Sequence, residues 1–182
     1  MRAVKNIVAL VLVFGSCLIY TSLRAEDPNT KTEKAKLRVG TFDSRAIAIA
    51  YVGTDDFKQA LKKMKEEQKK AKAAGDEKTV KELGAKGQAQ QQLLHTQGFS
   101  TASVGEYLER VKDKISAVAK EVGVDVIVSK WDMVYQSPDA EFVDVTDQLV
   151  KLFKPDEKTL KIGEDLRKIP PISLEEARNI KD

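Results

Sequence analysis

Cysteine and histidine are nearly absent: the chain has one of each, Cys17 and His95. Zinc, copper and haem sites draw on several such ligands, so the composition argues against them. Aromatic residues make up only 6% of the chain, with a single tryptophan, whereas charged residues make up 32%. That balance describes a small core and much solvated helix. Catalytic signatures are missing as well. There is no G-x-S-x-G, no phosphate-binding loop, no G-x-G-x-x-G and no H-E-x-x-H. The chain is therefore read as no enzyme and as holding no metal or cofactor. Five aspartates near strand ends, Asp43, Asp125, Asp132, Asp144 and Asp147, have the chemistry for a calcium or acid–base pair, and a hydrolase or lipid-modifying enzyme would have to use them. Capping and turn roles account for them more simply. His95 follows a glutamine run and is expected to face solvent. Trp131 is expected to be a packed turn residue.

The N-terminus has the parts of a secretory signal over residues 1–25. Arg2 and Lys5 precede an apolar run from Ile7 to Phe14, and Ala25 stands before a polar stretch. Export to the periplasm follows, and the mature chain then has no thiol and no disulfide. Two other readings of this stretch are a retained anchor over residues 7–23 and a lipid-modified Cys17. Lysine and arginine number 31 against 28 acidic residues. Residues 1–25 hold three of the basic residues and no acid, so the remainder balances at 28 of each. A global positive field for nucleic acid is not expected. Charge is nonetheless polarised along the chain, since residues 58–105 carry ten lysines against five acids.

Residues 26–36 read as a flexible leader. Residues 37–42 alternate with period two, as a strand does. Asp43 or Ser44 caps a short buried helix, and Gly53 to Asp56 offers a break and a new cap. Phe57, Leu61, Met64, Gln68 and Ala71 then follow a four-three seam, ended by Gly75. A second helix from Thr79 is weakened by Gly84 and Gly87, with a break at Gly98 to Thr101. Ser103 and Glu106 have capping-box spacing. Val104, Leu108, Val111, Ile115, Val118 and Val122 form a second seam, ended by Gly123. The two seams are expected to face each other in a helical hairpin; packing of each on the body is the alternative. Strands are expected at 124–129, 133–135 and 142–145, and a helix from Thr146. Residues 155–182 read as an appended tail with a short helix capped by Ser173 and Glu176. The expected fold is α+β: a small strand body (37–52 and 124–154) with a projecting antiparallel helical arm (55–122).

The strand LRVGTFDSRAI, the charged helices and the run GVDVIVSKWDMVYQSPDAEFVDVTDQLVKLF together resemble the Skp/OmpH family of periplasmic chaperones. Val143-Asp144-Val145-Thr146-Asp147 fits the family's D-[IV]-T-[DA] step into a final helix. The resemblance covers residues 37–154. It implies a homotrimer whose strands build a body and whose coiled-coil arms hold unfolded outer-membrane proteins without ATP or cofactor. Client contact then falls to the apolar seam of Phe57, Leu61, Met64, Val104, Leu108 and Val111. Lys62, Lys63, Lys65, Lys69, Lys70 and Lys72 supply a positive arm that attracts acidic clients, anionic lipid or lipopolysaccharide. The short arm, its three glycines and the tail depart from the family pattern. A structural coiled-coil scaffold of the envelope, without chaperone activity, is the alternative function.

Overall fold

The structure, a computed structural model, describes residues 36–180. The signal expected at 1–25 and the leader up to residue 35 lie outside the described residues. The fold mixes helices with one small sheet. β1 (Arg38–Phe42) is its central strand, flanked by β2 (Val126–Ser129) and β3 (Glu141–Asp144), and both pairings are parallel. Val39 stands opposite Val126 on one side and Phe142 on the other. Among the described residues the helices, in chain order, are α1 (Ser44–Val52), α2 (Asp55–Ala73), α3 (Glu77–Phe99), α4 (Gly105–Glu109), α5 (Lys112–Val122), α6 (Thr146–Lys151), α7 (Glu157–Arg167) and α8 (Leu174–Arg178).

The caps largely follow the sequence. Asp43, Thr54, Asp76, Asp156 and Ser173 each accept a backbone N–H at a helix start, and Ser173 with Glu176 completes a capping box. Gly75 and Gly123 stand just past α2 and α5 with φ of +70° and +65°, a conformation that favours glycine. The Ser103–Glu106 box does not form. Ser103 Oγ accepts from Gly105 N at 3.3 Å, while Glu106 accepts from the Gln97 side chain at 3.2 Å.

Three other expectations are corrected. First, residues 104–122 are two helices, not one, and their seam does not face α2. Val104, Tyr107, Val111 and Val118 are buried in one cluster with Phe42, Ala46 and Ile47, and with Leu149 and Phe153. Their burial there is worth roughly 1.5–3 kcal/mol per large side chain. The first seam offers less, because Gln68 and Ala71 occupy two of its positions. The stronger seam goes to the body, where α4 packs on α1 and α5 packs on α6. Second, residues 133–135 form no strand, and Val134 and Tyr135 are exposed. β3 joins β1 on the side opposite β2, so residues 130–140 are spent crossing the sheet end. Third, residues 155–180 are not an appendage: α7 packs on α1, and α8 packs on α3. Arg167 pairs with Asp144 at 2.8 Å and with Asp147. Ser100 Oγ donates to the Ile172 carbonyl at 2.7 Å.

At the C-terminal end of the sheet, these pieces converge on Asp43, whose side chain is fully buried. Its carboxylate accepts from Arg45 Nη2 at 2.9 Å, Lys130 Nζ at 2.8 Å and Trp131 Nε1 at 3.3 Å. Its backbone N donates to Thr146 Oγ1 at 3.0 Å, and Arg45 Nη1 reaches the Ile169 carbonyl at 2.8 Å. Lys130 Nζ also lies 4.4 Å from the centre of the Trp131 ring. Burial pushes the Asp43 carboxyl up, but hydrogen bonds and charge from Arg45 and Lys130 outweigh it and bring it down to about 2. A depressed carboxyl stabilises the fold above its unfolded value of 3.8, and this contribution fades as pH falls through about 2. Asp43→Asn is expected to cost about 3–5 kcal/mol in urea unfolding at pH 7, since it leaves Arg45 buried without its counter-charge. The variant is also expected to lose less stability than the parent between pH 4 and pH 2.

Candidate functional site

Of the six apolar residues expected to meet a client, the structure brings together three. Phe57, Leu61 and Met64 line a cavity of about 640 Å³ between α2 and α3, with Lys65 and Gln68 also on the α2 side. Val104, Leu108 and Val111 belong to the body instead: Val104 and Val111 are core residues and Leu108 packs against them. Across the cavity stand Leu83, Gly84, Gly87, Gln88, Gln91 and Leu94 of α3. Residues 84, 87, 91 and 94 follow one another at spacings of three, four and three, with Leu83 beside Gly84, so one face of α3 supplies this wall.

Gly84 and Gly87 do not interrupt α3, which runs unbroken from Glu77 to Phe99. The sequence alone marks them as weakening the helix, at a cost of about 1 kcal/mol each. Their common face is the signal that marks them as wall residues. An ideal Cβ on Gly84 would lie 3.8 Å from Gln68 Nε2, and one on Gly87 would lie 3.6 Å from Met64 Cε. Both are ordinary contacts, so neither glycine is required for the helices to pack. Each costs helix stability and leaves the wall bare. Leu61, Met64, Leu83 and Leu94 remain only half-buried as a result. α2 is about 28 Å long at 1.5 Å per residue.

The end of the groove nearest the body is rigid. The Phe57 ring meets Tyr51 edge-on at 5.5 Å, and Tyr51 stacks on Tyr107 at 4.0 Å. Tyr107 donates to Gln97 Oε1 at 2.5 Å, and Gln97 Nε2 donates to the Ser103 carbonyl at 2.8 Å. Burial pushes the Tyr107 hydroxyl well above its ordinary value. His95, expected in solvent, is buried on the last turns of α3 beside Phe99, at 5.8 Å between rings. The C-terminal α8 packs on this helix, a contact that no local pattern in α3 discloses.

Lys62, Lys63, Lys65, Lys69, Lys70 and Lys72 are all exposed on α2. Lys58, Lys62, Lys65 and Lys69 form a row beside the groove and, with Leu61, border a shallow depression of about 390 Å³. Lys62 lies 3.9 Å from Glu66, and Lys58 lies 3.5 Å from Asp156. Such exposed pairs are worth little, so the row keeps most of its attraction for anions.

A smaller cavity of about 240 Å³ lies among α1, α6 and α7, but its arginine, Arg167, is already paired with Asp144 and Asp147. Of the aspartates noted in the sequence, Asp43, Asp125, Asp144 and Asp147 are engaged in holding the fold together. Asp125 accepts from Arg38 N at 3.0 Å, and Asp144 accepts from Thr146 N at 2.9 Å. Among the described residues, no three His, Cys, Asp or Glu side chains gather as a metal site would require. No helix among them is long and apolar enough to cross a membrane.

If the glycines serve the groove and not the fold, replacing them should stabilise the protein. Gly84→Ala and Gly87→Ala are each expected to add about 1 kcal/mol in urea unfolding.

Comparison with protein-family models, with curated proteins and with solved structures finds no match to this chain.

Proposed function

We propose that the protein is an exported, ATP-independent holdase that shields apolar segments of unfolded outer-membrane or envelope proteins. The observation that carries this reading is the α2/α3 groove. Its wall is kept bare by two glycines that destabilise the helix, and its floor leaves leucine and methionine side chains half-covered. The neighbouring lysine row adds long-range attraction for acidic chains or an anionic lipid surface. The signal-like N-terminus supports export to the periplasm.

On this reading, α2 and α3 form an antiparallel arm that projects from the sheet-containing body. The resemblance to the Skp/OmpH family supports a homotrimer as the working unit. Two features suit self-association: β2 and β3 are open sheet edges among the described residues, and Val134 and Tyr135 are fully or largely exposed between them.

The test dilutes a urea-unfolded outer-membrane barrel protein into buffer and follows light scattering. The mature chain, residues 26–182, is expected to suppress scattering at near-stoichiometric trimer. A variant carrying Lys62→Glu, Lys65→Glu and Lys69→Glu is expected to suppress it several-fold less well at low salt. That difference should shrink at 1 M salt, where screening reaches about 3 Å. A folded, helical protein that leaves scattering unchanged would favour the envelope scaffold.

A further inference from the structure

We propose that the α2/α3 groove holds its client as an extended strand of about five residues, with alternate side chains pointing into the groove. This rests on the holdase reading and specifies the form in which the client is bound.

Length is the first argument. The α2 wall runs from Phe57 to Gln68 and the α3 wall from Leu83 to Leu94. At 1.5 Å per helical residue each wall is about 17 Å long. An extended chain advances about 3.3 Å per residue, so about five residues fit along it.

Hydrogen bonding is the second. An extended chain arrives with unsatisfied backbone N–H and C=O groups, which must find partners if they are covered. The groove supplies Gln68, Gln88, Gln90 and Gln91 along its lips. A glutamine amide both donates and accepts, so it serves a peptide group of either orientation and of any sequence. Among the described residues, none of these four amides is engaged within the protein. A helical client satisfies its own backbone, and an acyl chain has no polar backbone. Neither would make use of these amides.

Shape and charge agree with this. Gly84 and Gly87 lower the α3 wall where a client backbone must come close. The floor of Leu61, Met64, Leu83 and Leu94 takes the inward side chains. Lys65 at the lip, with Lys58, Lys62 and Lys69 beside it, favours a client whose apolar core is flanked by acids. An apolar–polar alternation is also the pattern of a membrane-barrel strand before it inserts.

The test is fluorescence anisotropy with labelled ten-residue peptides and the mature chain. One peptide carries leucines at alternate positions between aspartate flanks. A second has the same composition with leucines at helical spacing and is locked as a helix by a side-chain cross-link. Palmitate is the competitor. The alternating peptide is expected to bind at least tenfold more tightly than the locked helix and to resist displacement by palmitate. Gly87→Leu, and independently Gly84→Leu, should fill the groove and abolish its binding while helicity is retained. Gln88→Leu with Gln91→Leu should weaken it about tenfold. Equal or tighter binding of the locked helix, displacement by palmitate, or unchanged binding in the filled-groove variants would overturn the proposal. If scattering is suppressed while the alternating peptide shows no preference, the extended-strand inference fails and the holdase reading stands. If both are absent, both fail.

Discussion

The buried carboxylate of Asp43 is the constraint on which the body depends. It ends β1, caps α1, and draws in Arg45, Lys130 and Trp131. Through its backbone N it also fixes Thr146 at the start of α6, and through Arg45 it reaches the chain after α7. A buried charge tolerates no loss of a partner, because the cost of an unpaired ion there is several kcal/mol. Segments far apart in sequence are therefore held at one point, at the end of a sheet of only three strands. A sheet that small has little stability of its own. The ion cluster and the α1 core together give α1 a fixed position, and α2 starts directly after α1.

Helix seams of unequal strength then divide the labour. Residues 104–122 bring valine, leucine and isoleucine at nearly every seam position, and the body takes them. α2 brings two apolar residues, a methionine, a glutamine and an alanine. α3 answers with leucines at either end and glycines between. That pairing is too weak to close on itself, so a groove remains. The same deficit that costs folding energy leaves apolar surface available, as a binding element requires.

Much of this was legible in local patterns. The caps at Asp43, Thr54 and Ser173, the turn glycines 75 and 123, and the helix opening at Thr146 all come from short-range chemistry. The groove residues Phe57, Leu61 and Met64 were visible as a four-three seam. What was hidden depended on distant partners. The seam from Val104 to Val122 looks the same whether it meets α2 or the body, and only the body's demand for cover on α1 and α6 decides between them. Met133-Val134-Tyr135 has strand composition, yet the crossing from β2 to β3 denies it a neighbour. α3, the helix that carries His95, is packed by α8, a segment remote in sequence. Gly84 and Gly87 were read by propensity alone, when their shared face held the information.

Hydrogen–deuterium exchange of residues 26–182, alone and with an unfolded outer-membrane barrel protein, tests most directly whether α2 and α3 bind the proposed client. Added protection confined to residues 57–94, with the body around Asp43 unchanged, is the result expected. Protection centred on the sheet edges or on residues 130–140, with no change at 57–94, would contradict it.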